Sequence, residues 1–134
     1  MNIETYSDLI NAAKSQPDPQ RLLFVLTKAE LPEGYSAEQK AQFEQGEGGV
    51  LVPVLCVDKV PEDVADFAQL VEESEHTGMD WDIAFVSAMS GRGGIALNSD
   101  EVIQPLKMMT EQIQAGMISQ FLAINRQGEI IQLS

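Results

Sequence analysis

Two segments of the chain are apolar at almost every position, and several of the others carry apolar residues at helical spacing. Arg21–Thr27, reading RLLFVLT, and Val50–Val57, reading VLVPVLCV, have no consistent polar face, as strands covered on both sides require. The first reads as an interior strand. The second contains Pro53, which cannot donate to a ladder, so an edge position or a bulge is predicted there. Asp82–Ser90, DIAFVSAMS, is a third strand. Ile118–Ile124 and Glu129–Leu133 flank Asn125-Arg126-Gln127-Gly128, a spacing that predicts a C-terminal hairpin with glycine at its positive-φ position.

Helices fill the intervals. Ser7 or Thr5 caps a first helix over Asp8–Gln16, which buries Leu9, Ile10, Ala12 and Ala13 and stops at Pro17 and Pro19. After a turn at Pro32-Glu33-Gly34, Ser36-Ala37-Glu38-Gln39 is a capping box opening a polar helix to Gln45, with Ala37, Ala41 and Phe43 as its anchors and Gly46–Gly49 ending it. Pro61 starts a third helix that runs to Thr77, places Val64, Phe67, Ala68 and Val71 inward, and ends at Gly78. Ser99 caps a short turn to Ile103. A main helix then covers Pro105–Ala115, with Leu106, Met109 and Ile113 inward and Gly116 as terminator.

The alternation of elements predicts an α/β (or α+β) chain: a mixed sheet of about five strands partly covered by about four helices, in one domain spanning 1–134 and ending in a β-hairpin. Two layers and three layers are both compatible with this order. If the second and third strands run parallel to one another, Asp58-Lys59 and Ser90-Gly91-Arg92 meet on one rim, where open α/β sheets bind ligands.

Charge narrows the partners. The chain has 21 acidic and 8 basic residues, a net charge of -13, which opposes nucleic acid and anionic membrane surfaces and favours a basic protein. Nine acids and one cation, Lys59, lie between Asp58 and Asp82. On the third helix they form a solvated acidic face or a docking surface built on Glu62, Asp66 and Glu73. With no basic-then-apolar leader and no bilayer-length apolar run, the chain is expected in the cytoplasm.

The chemistry-bearing residues are few. Cys56 is the single cysteine, which rules out an internal disulfide, and its apolar strand predicts a buried structural thiol. Glu73 and His76 make one Glu-x-x-His pair where a di-iron site uses two, so no metal and no cofactor is expected. The methionines Met89, Met108, Met109 and Met117 are read chiefly as packing. Trp81 either anchors a helix–sheet seam or lines a pocket. The stretch Ser90-Gly91-Arg92-Gly93-Gly94 is the one candidate ligand loop. Its glycines allow backbone amides to converge on an anion and Arg92 supplies a forked donor, although it matches neither the dinucleotide pattern nor the P-loop. As a plain turn it needs glycine for positive φ.

The runs Gln20–Val25 and Gly48–Lys59, the SGRGG loop and the Asn125–Gly128 turn together resemble a family of small uncharacterised bacterial proteins often labelled "ribonucleotide reductase subunit alpha". The resemblance covers nearly the whole chain. Its label implies an accessory or regulatory partner of that enzyme rather than the reaction itself, which needs a radical cysteine plus a redox pair where this chain has only Cys56. The glycine-rich lead-in, proline-containing strand and following helix also resemble the enhanced serine sensitivity protein family, which transfers no catalytic motif.

The expected function is therefore that of a small acidic, non-enzymatic binding or regulatory protein with no assigned catalytic residue. Its contacts are a basic partner on the acidic helix and a second copy in a homodimer. The alternative is an anion- or phosphate-ligand-binding domain or small enzyme using Ser90–Gly94 with Asp58 and Lys59.

Overall fold

The computed structural model describes residues 3–31, 34–45, 50–64, 66–91, 93–95, 97–118 and 121–131. Its elements follow the predicted order: α1 (Tyr6–Lys14), β1 (Gln20–Glu30), α2 (Ala37–Glu44), β2 (Val50–Lys59), a 3-10 turn (Pro61–Val64), α3 (Phe67–Glu75), β3 (Ile83–Ser90), a second 3-10 turn (Asp100–Val102), α4 (Ile103–Gln114), β4 (Leu122–Asn125) and β5 (Ile130–Ile131). The five strands form one sheet in the order β2-β1-β3-β4-β5, and each neighbouring pair is antiparallel. Helices cover both faces, so the architecture has three layers.

The unbroken apolar run of β1 is explained by its position. Leu22, Phe24 and Leu26 face α1, α3 and the first 3-10 turn, packing with Tyr6, Leu9, Ile10, Val64, Phe67, Leu70 and Trp81. Leu23 and Val25 face the other way, toward Met109 and Ile113 of α4 and Val102 of the second turn. Each large side chain buried in this way contributes about 1.5–3 kcal/mol. The backbone of β1 is paired on both sides as well, to β2 and to β3.

β2 is an outer strand, and both expectations for Pro53 hold. Leu26 pairs with Leu55 while Thr27 pairs with Pro53, so Val54 is an extra residue at a register shift, the form of a β-bulge. This edge position also corrects the reading of Cys56. Its thiol is exposed rather than buried, because Cys56 sits opposite Val25 on the outermost strand, at the margin of the α4 layer. Sγ lies 3.3 Å from Thr110 Oγ1 of that helix.

Thr5, not Ser7, caps α1: its hydroxyl accepts from the Asp8 amide at 3.1 Å and the Asp8 carboxylate accepts from the Thr5 amide, so the helix begins two residues early. The Ser36 and Gln39 capping box opens α2 as predicted, yet this helix buries no residue. The third helical segment departs from a single run. Pro61–Val64 is a 3-10 turn, and α3 restarts at Phe67 behind the Asp66 cap, whose carboxylate accepts from the Ala68 amide at 3.0 Å. The restart shifts the helical phase, so Phe67, Leu70 and Ser74 point inward while Ala68 is exposed.

Ser99 does not cap the following turn. Asn98 and Glu101 do so reciprocally, at 2.9 and 3.1 Å, leaving the Ser99 hydroxyl for another use. Pro105 is the third residue of α4, within the first turn, where its missing N–H costs no intrahelical bond. Among the described residues the last two strands cover Leu122–Asn125 and Ile130–Ile131. Ser119 and Gln120, Leu133, the Gly46–Gly49 terminator and Pro32-Glu33 lie outside the described residues.

Candidate functional site

The strand ends do converge on one rim, by a route different from the one expected. β2 and β3 each lie antiparallel to β1, on opposite sides of it, so both finish where β1 begins: Asp58 faces Leu23, Lys59 faces Leu22, and Ser90 faces Gln20. Strand alternation then divides these residues between the two faces of the sheet.

Asp58 is turned to the α4 side. Arg21 Nε and Nη2 both reach its Oδ2 at 2.6 Å, Arg21 Nη2 donates to Ser99 Oγ at 2.8 Å, and Ser99 Oγ donates to the same carboxylate at 2.9 Å. Arg21 Nη1 also donates to the Leu97 carbonyl at 3.3 Å. The Arg21 and Asp58 side chains are 17% and 19% exposed, so the pair is mostly shielded from solvent. Its effect is to fasten the segment leading into α4 against the start of the sheet. The sequence reading gives Arg21 no role. The available signal was a cation, Arg21, at the start of one apolar run and a carboxylate, Asp58, just past the end of another.

Lys59 and Ser90 are turned to the opposite face. Lys59 Nζ pairs with Glu73 Oε2 at 2.9 Å, and Ser90 Oγ accepts from Gln20 Nε2 at 2.9 Å. The Gly91 amide donates to the Pro19 carbonyl at 2.8 Å, and Gly91 is buried. Arg92 lies outside the described residues. Gly93 and Gly94 adopt φ of 57° and 80°, a pair of left-handed residues that only glycine adopts readily. Gly94 opens on a cleft of about 370 Å³ that also involves Lys14, Gln20, Pro61 and Glu62. The structure therefore groups Ser90 and Gly94 with the α1 side and separates them from Asp58.

The three candidate docking acids are also dispersed. Glu62 borders the Gly94 cleft, Asp66 borders a cleft shared with Tyr6 and Arg126, and Glu73 borders a small apolar one beneath α3 with Leu55 and Leu70. Asp66 is engaged as a helix cap and Glu73 with Lys59. His76 is the exposed C-cap of α3. Among the described residues no group of three or more His, Cys, Asp or Glu side chains is placed to hold a metal ion.

Trp81 is fully buried and anchors the seam between α3 and the sheet. Its Nε1 donates to Ser74 Oγ at 2.8 Å, its ring meets Phe67 edge-on, and the Arg126 guanidinium lies 5.0 Å from the ring centroid. Arg126 is held there by Glu75, Asp80 and the Trp81 carbonyl, each at 3.2 Å. Nearby, the buried Tyr6 hydroxyl donates to the Val64 carbonyl. Burial first, and then the Asp66 carboxylate, push that hydroxyl well above the usual tyrosine range.

The methionines are not uniformly packing residues. Met109 is buried, while Met108 and Met117 are 58% and 55% exposed. No helix among the described residues is long and apolar enough to cross a membrane. No protein-family model matches the chain, and no curated protein or solved structure shows significant similarity to it.

Proposed function

We propose that this chain is a non-enzymatic binding or regulatory protein that engages a basic protein partner. The observation that carries this reading is the state of the rim. Arg21 with Asp58 and Ser99, Lys59 with Glu73, and Gln20 with Ser90 are matched to one another, so these polar groups work as fastenings between elements. The net charge of -13 supports a partner of opposite sign, since complementary charge raises encounter rate and selects against acidic competitors. The test is capture from a bacterial lysate by the immobilised chain and by a variant carrying Glu62→Lys, Asp66→Lys and Glu73→Lys, with melting temperatures compared to separate lost binding from lost fold. A cationic protein captured by the parent and lost from a folded variant supports the reading. An unchanged set of captured proteins counts against those acids.

A second reading, anion binding at the Ser90–Gly94 loop, is supported by the two left-handed glycines and by the cleft beside Lys14. Glu62, on the same cleft, opposes it. Thermal-shift measurements with phosphate, nucleotides, phosphosugars and carboxylates, repeated on Lys14→Ala and Arg92→Ala, decide it. A ligand-dependent rise that both variants abolish supports the site, and a flat response to all four classes removes it.

A further inference from the structure

The two faces of the sheet are unequally covered. α1, α3 and the first 3-10 turn share one face, whereas on the other the long cover is α4 alone. Beside α4 the sheet is open to a cleft of about 210 Å³, floored by Leu23, Ser87 and Met89 and walled by Pro105, Met108 and Phe121. Among the described residues β4 pairs with β3 from Ile83 to Val86.

We propose that this cleft docks a basic partner segment, which inserts one large apolar side chain between Met89, Met108 and Phe121. The proposal rests on the binding-protein reading above and names where the partner is held and by what chemistry. Three observations lead to it. The volume is large enough to admit a side chain of leucine or phenylalanine size. The lining carries no charged group, and three of its residues, Met89, Met108 and Met109, are thioethers, which repack around differently shaped apolar partners at low cost. The surrounding chain bears a net charge of -13, which favours the approach of a segment whose flanking residues are cationic.

The same charge argues against other occupants. A second copy brings an equal negative charge, which opposes its approach. An anionic lipid surface is repelled in the same way.

The test uses the full chain and three short fluorescent peptides in near-physiological salt: one of lysine and leucine in amphipathic order, one with glutamate replacing lysine, and one with serine replacing leucine. The Lys/Leu peptide is expected to bind at least about tenfold more tightly than either control, the scale set by burying a single anchor side chain. In methionine-methyl NMR spectra, Met89, Met108 and Met109 should shift on binding while Met79, outside the cleft, stays in place. Met108→Glu should weaken binding about tenfold although it adds negative charge, and Met108→Leu should retain it.

The sign of the Met108→Glu effect discriminates between mechanisms. Equal or tighter binding by that variant overturns the proposal, because attraction by charge alone predicts it. So do shifts that avoid the cleft methionines. If the Lys/Ser peptide binds as well as the Lys/Leu peptide with those methyls unmoved, the cleft is refuted while binding of a basic partner stands. If no cationic peptide binds, both readings fall.

Discussion

Replacing Arg21 by methionine would keep the aliphatic stem of the side chain and remove the guanidinium that joins Asp58, Ser99 and the Leu97 carbonyl. Asp58 would then be left with the Ser99 hydroxyl as its remaining partner in this cluster. Exposed ion pairs contribute about 0–1 kcal/mol, while removing one member of a fully buried pair costs about 3–5. With side chains 17% and 19% exposed, and charge-assisted hydrogen bonds worth about 1.5–3 kcal/mol each, we expect a loss of about 2 kcal/mol for Arg21→Met and a similar loss for Asp58→Asn. For a chain of 134 residues that corresponds to a fall in Tm of about 7 °C, from an unfolding entropy near 2.1 cal/mol/K per residue. Urea denaturation followed by the fluorescence of Trp81, the single and fully buried tryptophan, measures each variant and the double variant. Their coupling should be about 1 kcal/mol or more, as for directly bonded residues. Hydrogen exchange should also show the Asn98 and Glu101 amides losing protection ahead of the sheet. Purely additive losses, or single losses under about 0.5 kcal/mol, would refute the argument that this cluster fastens α4 to the sheet.

Other outcomes follow from the same geometry. Ser74→Ala leaves the buried Trp81 N–H without its acceptor and should cost about 1–3 kcal/mol in denaturant titrations; a neutral variant would mean that the indole finds another partner. Cys56, exposed on the edge strand, should react with a thiol reagent in the native protein nearly as fast as in the unfolded one, and protection until denaturation would contradict its placement. Tyr6 has its hydroxyl pKa raised in the folded state. Its contribution to stability is therefore fully present below the unfolded value of about 10 and is lost as pH rises above it. Stability measured above that pH should fall in the parent and fall less steeply in Tyr6→Phe. Gly128→Ala places a Cβ at φ 83°, 3.5 Å from the Phe67 ring, and should destabilise by about 1–2 kcal/mol, read as a shifted urea midpoint.

What the residue pattern could announce depended on how local the cause was. The double-sided apolar run of β1, the proline-marked bulge in β2, the Ser36 capping box and the terminating Gly116 and Gly128 all express constraints acting within a few residues, and each appears where expected. The misreadings involve relations between distant segments. Cys56 looked buried because its neighbours are apolar, but its exposure is set by the edge position of β2. Ser99 has the chemistry of a cap, yet Arg21, 78 residues away, takes its hydroxyl while Asn98 performs the capping. In the candidate loop, Ser90 and Gly94 share a rim with Asp58, and only the strand register reveals that they occupy opposite faces. Met108 is exposed beside the buried Met109 because successive residues of α4 point about 100° apart around the helix.

The central place of β1 also has a kinetic consequence. Phe24 pairs with Val57 on one side and Val86 on the other, so completing its surroundings requires closing loops of 33 and 62 residues. The second closure alone costs about 3.7 kcal/mol of chain entropy by the logarithmic scaling of loop length, before its constant term. Until β3 arrives, the most deeply buried strand of the chain has one flank unpaired, in the form most prone to recruit another chain. Folding should therefore be slow for a domain of this size. A chain interrupted before β3 would present its own centre as an edge, open to pairing with another chain until the rest is synthesised.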